Sequence, residues 1–288
     1  MINYIGIFIP NLASLMKPMN NLLKKDVEWS WGPAQEEAPK SVKLALSQAP
    51  TLTYFDPAKP VLVSADASSY GIGAVLMQKE EGVFKPVAFA SRTLLPAETR
   101  YAQIEKECLA AVWACEKFDR YLCGLQSFRL HTDHKPLVPL INGSDLNAVP
   151  LRCQRLVMRL MRYNPVAEHV PGKQLIIADT LSRHPIPQQD MAAVDLCQQV
   201  HVYVNSVTQH WPVSHDRLEA IRNATKGDET MQQAVQYTIN GWPDTVGILC
   251  DDLKNLYSVR SHLSVADNLL IHDGRVVIPK AHSPQSWR

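Results

Sequence analysis

An excess of charge of either sign is missing from this chain. Its 29 basic residues stand against 28 acidic ones, a formal net charge of +1, so no global field advertises a nucleic-acid partner and any such partner must be argued from local patches. The six cysteines (Cys108, Cys115, Cys123, Cys153, Cys197, Cys250) include no CxxC pair and no disulfide-framework spacing. That fits a reducing compartment and argues against a structural zinc. No apolar run reaches the ~18 residues of a membrane span. The opening MINYIGIFIPNLASLM has no basic leader and carries Pro10, so it reads as interior sequence rather than a signal peptide. A phosphate-cradling loop is lacking too, since the GIG of Gly71–Gly73 has neither a third glycine nor a following helix. What the chain does have is apolar matter: 46% of 288 residues are hydrophobic, ample for the core of one large or two modest globular domains.

Residues 1–50 carry helical spacing in NLASLMKPMNNLLKK and, after the start signal Trp29–Pro33, in AQEEAPKSVKLALSQ. Pro39 is expected to kink or shorten that second helix, an interior proline costing roughly 3 kcal/mol. Residues 60–91 alternate as three strands, PVLVSAD, GIGAVLMQ and VFKPVAFAS, with a turn at KEEG. The strongest helical pattern is 98–123, with Ile104, Cys108, Ala111, Val112, Cys115, Phe118 and Leu122 on one face, and with Glu105, Lys106 and Glu116 expected in solvent. A strand FRLHTD, a short HKPLVPLIN turn or helix, a basic amphipathic helix around 150–163, a strand VAEHV and a short helix IIADTLSR follow. From 186, PIPQQDMAAVDLCQQV reads as a linker; 212–288 reads as two or three helices and the hairpin NLLIHDGRVVIP, turning at Asp273–Gly274. This order of elements predicts an α/β sandwich with a mixed sheet.

Four carboxylates take telling places in that plan. Asp66 ends the first strand, Glu107 lies on the buried flank of the long helix, Asp133 ends the fourth strand, and Asp179 lies in the last short helix. If the first and fourth strands are neighbours, Asp66 and Asp133 stand side by side with Glu107 above them. Carboxylates gathered in this way repel and raise one another's pKa values unless divalent cations neutralise them. Hard oxygen ligands suit Mg²⁺ or Mn²⁺, and a two-ion site about 3.5–4 Å across activates a water and stabilises the leaving oxygen of a phosphodiester.

The strings SADASSYGIGAVLMQ, YAQIEKECLAAVWACEKFDRYLCG, FRLHTDHKPL and EHVPGKQLIIADTLSRHP, in this order, closely resemble the ribonuclease H domain of gypsy-type LTR retrotransposon polyproteins. The resemblance covers about residues 55–185. It implies a ribonuclease H-like fold, a mixed five-stranded sheet flanked by helices, with a helical N-terminal extension and an α+β C-terminal one. It further implies that Asp66, Glu107, Asp133 and Asp179 bind two Mg²⁺ ions, with Mn²⁺ able to serve, and that the partner is an RNA–DNA hybrid. Glu107 is preferred to Glu105 because the family glutamate precedes an L-x-A-like run, as E-C-L-A does here. His169, in the loop EHVPGK, resembles the mobile histidine that related ribonucleases H place near the leaving product.

Residues 1–54 resemble the end of a reverse-transcriptase thumb and its connection, 186–211 a linker, and 212–288 the segment leading into an integrase zinc-binding domain. No YxDD polymerase motif or HHCC zinc array is present, so the sequence reads as a piece of a polyprotein, with the rest of a reverse transcriptase as a further partner and no membrane or zinc. An intracellular location, cytoplasmic or nuclear, is what the family implies. The stripe Arg152, Arg155, Arg159 and Arg162 reads either as a solvated face or as a phosphate-tracking surface that Lys173 and Arg183 extend. Ser68, Ser69 and Tyr70 read as a simple turn or as minor-groove contacts where the 2′-OH distinguishes RNA from DNA. The alternative to an active nuclease is an inactive retroelement-derived relic that binds nucleic acid or protein without cleavage.

Overall fold

Residues 60–91 form the three expected strands, and the helical pattern of 98–123 is realised as a helix over 103–117 with a 3-10 turn before it at 98–100 and a separate helical turn after it at 119–122, in a fold obtained as a computed structural model that describes residues 15–22, 29–48, 52–143, 149–185, 191–211, 213–243 and 245–279. Five strands, β1 (Val61–Ala67), β2 (Gly71–Glu80), β3 (Val83–Thr93), β4 (Phe128–Thr132) and β5 (Pro165–His169), form one sheet in the order β3-β2-β1-β4-β5. The β1–β2 and β2–β3 pairs are antiparallel while β1–β4 and β4–β5 are parallel, so the sheet is mixed and the class α/β.

Apart from the single helical turn Asp119–Leu122, the helices among the described residues are α1 (Lys17–Leu22), α2 (Pro33–Gln48), α3 (Gln103–Lys117), α4 (Leu137–Ile141), α5 (Leu151–Leu160), α6 (Ile176–Arg183), α7 (Met191–Gln209), α8 (His215–Gly227), α9 (Glu229–Asn240) and α10 (Asp251–Ser258). Successive side chains of a strand face opposite sides, and β1 divides accordingly. Val61, Val63, Ala65 and Ala67 join the main core with Ile104, Cys108 and Leu109 of α3 and Leu156 of α5. Leu62 packs on the other face with Val75, Met77 and Ile177 of α6. All seven residues of β1 are buried, as a strand covered on both faces requires. Asp66 shares the parity of Leu62 and therefore looks toward α6.

Four expectations are corrected. α2 runs unbroken through Pro39, with Ala38 and Val42 buried on one stripe whose burial offsets the lost hydrogen bond. Glu105 and Lys106 are not solvated: their relative exposures are 0% and 1%, because the helix has neighbours on more than the one side its apolar stripe announced. Glu116 is partly buried and paired with Arg159. The expected linker is mostly the 19-residue α7, whose Leu196 and Val200 enter the main core; its i, i+4 spacing of Leu196, Val200 and Val204 was diluted by polar neighbours, and residues 186–190 lie outside the described residues.

Beyond α7 the chain forms a second, smaller core of Met231, Ala234, Val235, Leu253, Leu263 and Leu270 between α9, α10 and a three-stranded antiparallel sheet, β6 (Leu263–Ala266), β7 (Leu269–His272) and β8 (Arg275–Val276). The Asp273–Gly274 turn is present with φ of 46° and 74°, and a second left-handed pair, Asp267–Asn268 at 48° and 61°, adds the strand that the hairpin reading lacked. The helical expectation for 11–25 is met at Lys17–Leu22; residues 1–14 and 23–28 lie outside the described residues, as do 280–288.

Candidate metal centre

β1 and β4 are neighbours, with Leu62, Val63 and Ser64 opposite Arg129, Leu130 and His131. Asp66, next to last in β1, therefore lies beside Asp133, the first residue past β4. α3 packs against β1 and brings Glu107 to the same end of the sheet. Asp66, Glu107 and Asp133 each offer a carboxylate oxygen, and these atoms lie within 4.8 Å of one another. Among the described residues, no other group of three or more His, Cys, Asp or Glu side chains converges in this way.

Two neutral donors hold these carboxylates, and both were missed in the sequence. Ser182 Oγ donates to Asp66 Oδ2 at 2.6 Å, and Gln103 Nε2 donates to Glu107 Oε1 at 2.8 Å. The other Glu107 oxygen, Oε2, is buried and meets no donor in good hydrogen-bond geometry, although the Ala67 backbone N–H is near enough to the carboxylate to offset part of its rise in pKa. Gln103 carried a detectable signal, standing one helical turn before Glu107. Ser182 carried none, because its partner is 116 residues away.

Burial dominates the electrostatics. It pushes Asp66 from 3.8 up to about 6, against the pull of the Ser182 hydrogen bond and with added repulsion from Asp133 and Asp179. Burial likewise lifts Glu107 well above the usual range, with repulsion from Asp66 and Asp133 adding to it. Asp133 is raised by burial and by Asp179, while the neighbouring His169 works in the opposite direction. A cluster that resists ionisation when bare is one that a cation would favour.

The seat of α6 explains the glycines of β2. A Cβ on Gly73 would lie 2.3 Å from the Ala178 carbonyl and 2.4 Å from Ser182 N, and one on Gly71 would lie 2.3 Å from the Ser182 carbonyl. Only glycine lets the helix backbone lie this close to the strand. Ser68 Oγ donates to the Ser182 carbonyl at 2.8 Å and Tyr70 Oη to the Arg183 carbonyl at 2.8 Å, so both tie the β1–β2 turn to α6. Ser69 and half of Tyr70 stay exposed.

The remaining candidates separate. Glu107, not Glu105, joins the cluster. Glu105 instead accepts the Ala102 N–H at 2.8 Å and pairs with Arg152 at 3.2 Å. Asp179 stands outside the three converging carboxylates, bonded to Arg183 at 2.7 Å, though its charge is felt at Asp66 and Asp133. His169 is the exposed last residue of β5, in register with Thr132 beside Asp133. The arginine stripe is largely engaged by the protein itself: Arg152 with Glu105, Arg159 with Glu116 at 2.5 Å and with Gln199 at 2.8 Å, Arg155 with Gln199 at 3.3 Å, and Arg162 with Asp119 at 3.2 Å. α7 supplies Gln199, which is why a chain read with a linker there left the stripe free. Lys173 is exposed in the turn after β5.

Residues 31–130 match the family model described as an RNase H-like domain found in reverse transcriptase. The Tf2-3 transposon polyprotein of Schizosaccharomyces pombe is 32% identical over 236 residues, 78% of this chain and 18% of the polyprotein, so the chain spans under a fifth of that relative. Among solved structures, a foamy viral protease-reverse transcriptase in complex with double-stranded DNA is similar with a TM-score of 0.44 and 20% identity, over 59% of this chain and 34% of that one. RNase H1 of the archaeon Halobacterium salinarum is similar with a TM-score of 0.34 and 16% identity, over 44% of this chain and 98% of that one. By this family model and this relative, the chain carries an RNase H-like domain of a retrotransposon polyprotein, of the kind found in reverse transcriptase.

Proposed function

We propose that the chain is a divalent-cation-dependent endonuclease that hydrolyses the RNA strand of RNA–DNA hybrids within a gypsy-type retrotransposon polyprotein. The observation that carries this reading is the buried, unpartnered Oε2 of Glu107, set within reach of two further carboxylates whose burial also disfavours ionisation. Such an atom is costly unless something positive meets it, and an all-oxygen set suits Mg²⁺ or Mn²⁺. Asp66, Glu107 and Asp133 would hold the cations, two in number, with Asp179 completing the set from the rim. When bound, the cations supply Lewis-acid polarisation of a phosphoryl oxygen and a water acidic enough to be deprotonated near neutral pH.

The chain's own residues do the rest. Ser182 and Gln103 each fix one oxygen of Asp66 and Glu107, so the carboxylates are oriented before substrate arrives. His169 would carry a proton at the departing 3′-oxygen, leaving 3′-hydroxyl and 5′-phosphate ends. Ser68, Ser69 and Tyr70 would lie against the minor groove, with Lys173 on a phosphate and the stripe of Arg152, Arg155 and Arg159 adding to the field rather than donating directly. In this reading the nuclease unit is residues 55–185, residues 1–54 belong with the reverse transcriptase, and 212–288 lead toward an integrase. The deciding assay is cleavage of a labelled hybrid with Mg²⁺. A folded protein that shows no turnover, or turnover that survives Asp66→Asn, sinks the proposal.

A further inference from the structure

One turn of α3, Glu105–Glu107, faces two ways. Glu107 reaches the carboxylate centre, while the two residues before it are buried in the seam between α3 and the C-terminal elements. Lys106 Nζ donates to the Ile239 carbonyl at 3.0 Å, in the last turn of α9, so a buried ammonium closes the negative end of that helix. Both Glu105 oxygens accept from Arg152 Nη1 at 3.2 Å, and the same nitrogen donates to the Val265 carbonyl of β6 at 2.7 Å. The Arg152 guanidinium lies over the Tyr101 ring, 4.7 Å from its centroid. Apolar contact continues the seam, Leu151 of α5 clustering with Val204 of α7, Ala266 of β6 and Ile271 of β7. A charge removed from water demands its partners, so these contacts hold α3 in one rotation and one height against the C-terminal unit. A ligating carboxylate tolerates only about 0.5 Å of misplacement, and it inherits whatever placement the two preceding residues set.

We propose that Lys106 and Arg152 are positioning residues, through which docking of the C-terminal unit (α9 and the β6–β7 sheet) onto α3 sets the place of Glu107. The inference rests on the reading of Glu107 as a cation ligand, and it makes the C-terminal unit part of the nuclease rather than a passenger beside it.

The test uses the full chain carrying Lys106→Met, Arg152→Met or Arg152→Lys, with Lys117→Met on the exposed end of α3 as control. Two readouts are taken: amide exchange across 103–110 and 229–240, and hybrid cleavage as a function of Mg²⁺ concentration. Lys106→Met is expected to speed exchange in both segments and to raise the half-saturating Mg²⁺ concentration about tenfold, with KM for the hybrid unchanged. Arg152→Lys, which keeps the charge, restores part of what Arg152→Met loses. Exchange at 103–110 and Mg²⁺ half-saturation both equal to wild type in Lys106→Met and Arg152→Met would overturn the proposal. If Lys106→Met does not fold, Lys106→Arg and Arg152→Lys are measured in the same two ways, and wild-type values in both overturn the proposal equally. A wild-type chain that neither binds Mg²⁺ nor cleaves removes the reading of the centre instead, and the exchange data then decide the coupling by themselves.

Discussion

Replacing Asp66 by asparagine is expected to stabilise the cation-free protein near pH 8 while abolishing its response to Mg²⁺. The rise of the Asp66 carboxyl from 3.8 to about 6 corresponds to roughly 3 kcal/mol held against folding once the pH exceeds both values. The sign follows from proton release. Between about pH 4 and pH 6 the unfolded chain gives up this proton before the folded one does, so stability of the cation-free protein falls as pH rises through that window. Asparagine keeps an oxygen to accept the 2.6 Å hydrogen bond from Ser182 and carries no charge toward Glu107 or Asp133. At roughly 2–4 °C per kcal/mol, the variant in EDTA at pH 8 should melt about 5 °C or more above wild type, and the gap should vanish near pH 4. In wild type, Mg²⁺ at a hundred times its Kd restores about 2.7 kcal/mol, whereas the variant gains little. Differential scanning fluorimetry over pH, with and without Mg²⁺, reads both effects. A variant that melts below wild type in EDTA at pH 8, or keeps the full Mg²⁺ shift, would mean that Asp66 is not held against its charge or is not a cation ligand.

The two neighbouring glutamates should behave oppositely: Glu107→Gln loses hybrid cleavage but folds, whereas Glu105→Gln removes the charge that pairs with the largely buried Arg152 guanidinium and costs about 3 kcal/mol by urea unfolding. Gly73→Ala drives a methyl into the backbone of α6, and chemical denaturation should show a loss of about 3 kcal/mol together with a weaker Mg²⁺ shift; wild-type stability would mean that α6 does not sit where described. Hybrid affinity measured in EDTA against KCl separates the basic residues. Lys173→Ala should lower the salt slope by about one, and Arg159→Ala, already paired with Glu116, should leave it nearly unchanged.

Much of the centre was legible because its chemistry is local in sequence and its geometry is modular. Alternation located β1, a stripe located α3, and a carboxylate at the end of each needed only the β1–β4 neighbourship to meet. What stayed hidden depends on surfaces that a linear pattern does not describe. Glu105 and Lys106 read as solvated because nothing local announces that a second unit covers that flank of α3. The arginine stripe read as free because Gln199, its partner, lay in a stretch whose apolar i, i+4 positions were interspersed with polar residues. Pro39 read as a breaker because propensity was weighed without the burial of Ala38 and Val42.

The hydrogen bond between Ser182 and Asp66 closes a loop of 116 residues. Closure entropy grows only slowly, about 0.6 kcal/mol for each doubling of loop length, but it must be met before the contact returns anything. The meander β1–β3 and helix α3 can form from neighbours in the chain, whereas α6, which follows β4, α5 and β5 in sequence, is expected to dock on β2 after them. The hydrogen bond that fixes Asp66 is therefore expected to form late, after β1, α3 and β4 have gathered the three carboxylates. In a refolding experiment the magnesium-sensitive signal should trail the appearance of helix and sheet, making cation binding a stopwatch for the last step of assembly.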